Sequence, residues 1–220
     1  MTTKRNDILK LIGMISMVAD HVGVQFFSEN PTMLYYALRL FGRLAFPIFA
    51  YLVAMGYQRT RDWKRYAFRL GVFAVITQIP FHFFAGHLNV LFTFLLGLFF
   101  LYFYEQQEIL GVVAVMLAAE ILRTDYAGYG LLMIFIFYRF GQDKQRTFMY
   151  IFGLTALYGA LSALSAGGFQ WVMMIQLACV AALPLIWHPY RWSLQLPKWT
   201  GYVFYPAHIA LILGLDAWIL

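Results

Sequence analysis

The chain has 220 residues, of which 62% are apolar and 12% charged, and its formal net charge is +6. A soluble domain carries about 25% charged and roughly 45–50% apolar residues, so this chain cannot cover itself with polar surface and reads as a polytopic membrane protein. The charge does not point to nucleic acid, because the basic residues fall in short clusters between apolar runs, the pattern of cytoplasmic membrane loops. The single cysteine, Cys179, excludes an intrachain disulfide and a cysteine-based metal site.

A spanning helix needs roughly 20 mostly apolar residues. In chain order the expected spans are 8–27, 34–57, 67–86, 88–104, 109–123, 126–140, 147–166, 170–187 and 201–220. They make one all-α polytopic domain over 1–220, with no extramembrane segment long enough for a second. The opening "MTTKRNDILK" resembles the charged start of a signal peptide. No small-residue cleavage site follows the apolar run, so the first helix is expected to stay as an anchor. With Lys4 and Arg5 in the cytoplasm, the even-numbered connections carry three basic groups. These are Arg59, Arg61, Lys64 and Arg65, then Arg139, Lys144 and Arg146, then Arg191 and Lys198. The opposite side carries Arg123. Positive charge marks the cytoplasmic side, which gives N-terminus in, C-terminus out and nine spans. The acidic connection "YEQQE" would also be cytoplasmic and fits this topology least well.

Ionisable groups in hydrocarbon cost at least about 2.5–3.5 kcal/mol each on insertion scales, so each suggests a site. The first helix, "LKLIGMISMVADHVGVQFF", holds Asp20 and His21. At about 1.5 Å per residue, His21 lies roughly 20 Å from the cytoplasmic end and Arg43 of the second helix roughly 21 Å. Gln78 and Glu120 come out at roughly 17–18 Å by the same count, so four helices are expected to present polar groups at one level. Lys10 and His21 are almost three turns apart and share one face, with Met14 and Met17 between them, while Asp20 points about 80° away. That stripe suits a ligand with a phosphate head and a long thin arm. A lone membrane histidine reads equally well as an interhelical hydrogen-bond donor. Asp20 could simply neutralise Arg43, Arg39 could snorkel outward, and Lys10 could be an ordinary interfacial anchor.

The connection "GYQRTRDWKRYAFR" holds Arg59, Arg61, Lys64, Arg65 and Arg69. It reads either as topology signal with anionic lipid contact or as a docking surface for a polyphosphorylated cytoplasmic ligand. His82 and His87 have no carboxylate or cysteine nearby to complete a metal site. In the last helix Pro206 is expected to free a carbonyl near Tyr202, and Tyr205 and His208, three apart, face the same way. A kink carrying a histidine is tolerated where it lines a cavity, and helix packing is the plainer reading of both side chains.

Three blocks, "LKLIGMISMVADHVG", "LRLFGRLAFPIFAYLV" and "YVFYPAHIALI", resemble the TraX family in order and spacing across nearly the whole chain. That family takes its name from a conjugation protein that acetylates the N-terminus of pilin at the bacterial inner membrane. It is similar to the wider transmembrane acyltransferases, of acyltransferase-three and heparan-acetyltransferase type. The resemblance implies a multi-pass protein of the bacterial cytoplasmic membrane with acetyl-CoA as acyl donor. The acceptor would be an amine or hydroxyl on a protein N-terminus, a glycan or a lipid. In acyltransferase-three proteins an arginine and a histidine stand eleven residues apart on the first helix, a spacing occupied here by Lys10 and His21. The lysine keeps the charge but loses bidentate phosphate binding. Arg43 matches the arginine that opens the second-helix motif.

The implied chemistry puts the donor phosphates near Lys10 and the Arg59–Arg69 segment, with Arg39, Tyr205 and His208 as further donor-binding residues. His21 would act as general base or acyl carrier, with Asp20 and Arg43 beside it. The alternative is a proton-coupled transporter or lipid flippase with Asp20, His21, Glu120 and His208 as a proton relay. The inverted repeats and broken half-helices common in such carriers are not evident. A third reading is a purely structural membrane assembly factor.

Overall fold

The computed structural model describes residues 3–165, 175–191, 194–197 and 199–219. Its elements are α1 (Thr3–Phe27), α2 (Met33–Gly42), α3 (Ala45–Arg59), α4 (Trp63–Phe84), α5 (Val90–Glu105), α6 (Ile109–Ile121), α7 (Ala127–Phe140) and α8 (Lys144–Ser165). There follow a 3₁₀ segment η1 (Gln176–Ala181), α9 (Ala182–Trp187) and α10 (Thr200–Ile219). Among the described residues the secondary structure is helical apart from one isolated bridge, Leu88 with Thr124.

Among the described residues three stretches are long and apolar enough to cross a membrane: Met33–Arg59, which takes α2 and α3 together, Trp63–Phe84 and Lys144–Ser165. The apolar stretches α5, α6, α7 and Gln176–Trp187 fall where the hydropathy places them but are shorter. The 16, 13 and 14 residues of α5, α6 and α7 reach about 20–24 Å, against roughly 30 Å of hydrocarbon. The expected span 170–187 begins outside the described residues; from 176 it is η1 followed by α9, not one α-helix.

The expected helix 34–57 is interrupted. Arg43 caps α2 and α3 restarts at Ala45. Pro47 has no N–H to give to the carbonyl of Arg43, four residues back, and its ring crowds that carbonyl. The chain tightens there into shorter-range bonds, Arg43 N to Leu40 O at 3.3 Å and Leu44 N to Phe41 O at 3.2 Å. In the first turn of α3 the missing donor is otherwise harmless.

The chain forms two compact units, Met1–Leu52 with Phe140–Gly201, and Val53–Arg139 with Tyr202–Leu220. In the first, α1 packs on α2 and the start of α3 through small residues. A Cβ on Gly13 would sit 3.0 Å from the Phe49 ring, and one on Gly23 would sit 3.2 Å from Leu38 Cβ. A Cβ on Gly42 would sit 2.4 Å from Asp20 Cβ. Gly13, Ser16, Asp20 and Gly23 recur at three- and four-residue steps, so they line one face of α1 and let the backbones close up.

In the second unit, Leu98, Leu101, Leu131, Met133, Ile134 and Phe137 are fully buried. Polar contacts define its two ends. Glu105, at the end of α5, accepts hydrogen bonds from Tyr57 of α3 at 2.8 Å and from Tyr138 of α7. The C-terminal ends of these three helices therefore meet, together with Arg59, the turn leading to Lys64 and Arg65, and Arg139. The acidic connection thus lies with the basic ones, its carboxylate taken up by two phenols. At the other end Leu88 N donates to Arg123 O at 3.2 Å and Asp125 N to Leu88 O at 2.8 Å, while Thr93 Oγ1 donates to Asp125 O.

Candidate functional site

A concentrated polar cluster lies within the first unit. Asp20 receives Arg39 Nη1 on Oδ2 at 2.7 Å and Arg43 Nη2 on Oδ1 at 2.9 Å. Helix α1 supplies the acid and α2 the bases. Arg39 and Arg43, four residues apart, stack on one face of α2 and its cap. The side chains of Asp20, Arg39 and Arg43 are 17%, 20% and 10% exposed, so the cluster is largely withdrawn from solvent. Arg43 Nη1 donates to Gln176 Oε1 of η1 at 3.1 Å. Ser16, one turn before Asp20, donates to the carbonyls of Phe41 and Gly42 at 2.7 and 3.1 Å. Those carbonyls belong to the stretch where the helix stops at Arg43, so the serine fills part of the bonding that the break opens.

Asp20 therefore serves the neighbouring helix, where its direction on α1 had placed it. His21, the next residue, is half-buried and turned about 100° around the helix from it. Of the stripe that leads to His21, Met14 and Met17 are buried and Lys10 forms an ion pair with Asp7 at 3.2 Å, one turn earlier. Asp7 and Gln176 were both missed in the sequence. Gln176 is the polar residue in the apolar run "VMMIQLACVAAL", and that contrast could have found it.

Gln78 and Glu120 belong to the second unit and are used up at helix ends. Gln78 accepts Asn89 N and Nδ2 at 3.0 and 2.8 Å and donates to His87 O at 3.1 Å, which brackets the α4–α5 connection. Glu120 accepts Gly128 N at 3.0 Å and caps the start of α7. Counting rise along a helix gives depth but not which side chain a returning loop will claim.

The basic residues of the α3–α4 connection also lie in the second unit. Arg59, Arg61, Lys64 and Arg65 are exposed. Arg65 pairs with Asp62 at 3.6 Å, and Asp62 also caps α4 by accepting Arg65 N at 2.9 Å. Arg69 lies over the ring of Tyr66, 5.9 Å from its centroid. Trp63 stacks on Tyr102 with ring centroids 4.5 Å apart. Tyr205 and His208 of α10 are buried, 3% and 6% exposed. The N–H of Val90, in the first turn of α5, bonds to Tyr205, and His208 Nδ1 donates to Phe204 O at 2.9 Å. His87 Nδ1 donates to the carbonyl of Leu88 at 3.2 Å.

A surplus of guanidinium around one carboxylate, next to an imidazole-bearing residue, is suited to holding negative charge that forms on a substrate oxygen. The family described as TraX protein matches residues 5–216. A relative, the probable fimbrial assembly protein FimC, serogroup H1, of Dichelobacter nodosus, is 28% identical over 230 aligned residues that cover 93% of this chain and 92% of the relative. No solved structure matches. The family match runs through all three sequence blocks and both units, and the chain belongs to the TraX family.

Proposed function

We propose that this protein is a membrane-bound acetyltransferase that moves an acetyl group from cytoplasmic acetyl-CoA to an amine or hydroxyl acceptor. The preferred acceptor is a protein N-terminus of the pilin type. The observation that carries the reading is the Asp20–Arg39–Arg43 cluster one residue from His21, in a chain of this family. The resemblance implies a family that takes its name from a conjugation protein acetylating pilin, and the relative is named for fimbrial assembly, so both point toward pilus subunits. The implied kinship with acyltransferase-three proteins, itself part of this proposal, would add the histidine at the spacing of Lys10 and His21.

In this reading the chain spans the bacterial inner membrane nine times, N-terminus inside and C-terminus outside. The gathering of Arg59, Lys64, Arg65 and Arg139 at one end of the second unit supports that orientation. Arg59, Arg61 and Lys64 have no ion-pair partner among the described residues and suit the donor's phosphates. Lys10, already paired with Asp7, is a weaker candidate. Tyr205 and His208 are buried on α10, and a donor role for them would need the pantetheine arm to reach that helix.

Neutral His21 takes the proton as the acceptor nitrogen or oxygen attacks the thioester carbonyl. Arg43 stabilises the oxyanion of the tetrahedral intermediate, oriented by Asp20. The intermediate collapses with loss of the C–S bond, and the proton held by His21 passes to the departing thiolate. The products are the acetylated acceptor and free CoA. Transfer of labelled acetyl from acetyl-CoA into host membrane extracts tests this. His21→Ala should fold, keep CoA-dependent thermal stabilisation and lose transfer. Full transfer by that variant would sink the mechanism. The transporter reading gains nothing specific, since Glu120 caps a helix and His208 is bonded to its own helix backbone.

A further inference from the structure

We infer that Gln176 is a positioning residue for Arg43, and that its neutrality preserves a single surplus positive charge in the Asp20–Arg39–Arg43 cluster. The inference rests on the acetyl-transfer reading above. Arg43 gives its two terminal nitrogens to two different elements, Nη2 to Asp20 on α1 and Nη1 to Gln176 on η1. A guanidinium is planar and rigid, so anchoring both tips of the fork fixes its plane as well as its place. Ser16 holds the backbone from which Arg43 departs, through the carbonyls of Phe41 and Gly42. Arg43 is thereby located from three directions.

The charges then decide what the amide is for. Asp20 divides its carboxylate between Arg39 and Arg43, and among the described residues it is the acid ion-paired with them. One carboxylate against two guanidiniums leaves a sum of +1. Gln176 is 9% exposed and faces Arg43 through a carbonyl oxygen. A glutamate would accept the same N–H from nearly the same position and bind it more strongly. For a residue whose task is to fasten η1 to the end of α2, the acid would be the better choice, because it would also balance the cluster. The amide aims the guanidinium without cancelling the surplus. Net positive charge held away from water works against folding, but it is what a group meeting a developing oxyanion needs.

Full-length Gln176→Glu and Gln176→Met, compared with the wild type in detergent or lipid discs, test this. The readouts are kcat, the KM for acetyl-CoA and the apparent unfolding temperature. Gln176→Glu is expected to unfold at or above the wild-type temperature with KM unchanged and kcat lowered about 100-fold, the scale of losing one oxyanion donor. Gln176→Met loses the anchor but keeps the volume, and its kcat should fall about 10-fold or more with KM unchanged, as expected of a misplaced group. Wild-type kcat in Gln176→Glu would overturn the inference. So would losses in both variants that merely follow the amount of folded protein. If the acid variant does not fold, the split between kcat and KM in the methionine variant decides. A wild type that transfers no acetyl would overturn the parent reading itself, which separates that failure from failure of the Gln176 assignment.

Discussion

Asp20→Asn is the most informative single change, because it removes charge while keeping shape. The asparagine oxygen can still accept one guanidinium N–H, but two arginines then face each other without an anion. Asp20 and Arg43 are 17% and 10% exposed on their side chains, so solvent screening is weak. Removing one partner of such a pair costs about 3–5 kcal/mol, most of it the penalty of leaving the other charge uncompensated. Asp20 serves two arginines at 2.7 and 2.9 Å, which places the expected loss toward the upper part of that range. For a chain of this size that is a fall of roughly 6–20 °C in apparent unfolding temperature. Arg39→Gln should cost much less, since Asp20 keeps Arg43. The double variant Asp20→Asn with Arg39→Gln should recover part of the loss, because one unbalanced cation has gone. A double-mutant cycle by thermal unfolding in detergent should show a coupling of at least about 1 kcal/mol. A shift under 2 °C in Asp20→Asn, or strict additivity in the cycle, would refute the picture of one carboxylate holding two buried arginines.

Other outcomes follow from the same geometry. Gly42→Ala puts a methyl 2.4 Å from Asp20 Cβ, and overpacking of this kind should lower stability by about 1–3 kcal/mol, read as a lower unfolding temperature; a wild-type value would mean that α1 and α2 are not so closely packed. Glu105→Gln turns an acceptor shared by Tyr57 and Tyr138 into a group with one acceptor oxygen. The resulting destabilisation, about 1–3 kcal/mol, should be matched by Tyr57→Phe combined with Tyr138→Phe and should not add to it. Changing Arg59, Arg61 and Lys64 together to glutamine should abolish stabilisation by CoA, which in the wild type should reach about 2.7 kcal/mol at 100 times the dissociation constant. Undiminished stabilisation in the triple variant would move the phosphates elsewhere.

The helices were legible because apolar runs of near-spanning length leave few other options: α1, α4, α5, α6, α7, α8 and α10 start and stop within a few residues of the hydropathy boundaries. The break between α2 and α3 was equally open to reading, since Pro47 stands in plain view four residues after Arg43, but hydropathy averages over it. The pairing of Asp20 with Arg43 was one of the readings open in the sequence, since the direction of Asp20 on α1, a purely local quantity, turns it off the Lys10–His21 stripe. The partners of Gln78, Glu120 and Gln176 were not legible, because each is claimed by a residue remote along the chain or by a loop that folds back.

These features are linked through Pro47. By ending α2 at Arg43 it leaves the carbonyl of Arg43 without its donor four residues on and turns Arg43 from a side chain within a helix into a helix cap, next to the Phe41 and Gly42 carbonyls that Ser16 binds. A capping arginine stands at the end of its helix, where α1 and η1 can both reach its guanidinium. Gly42 lets Asp20 approach closely enough to complete the pair. The segment "FGRLAFP" therefore acts as one device: the glycine admits the acid, the arginine carries the charge, and the proline sets where that charge is held. Pro47→Ala should accordingly disturb acetyl transfer through Arg43 even though it touches no charged group. A continuous α2–α3 helix with unchanged kcat would show the break to be incidental.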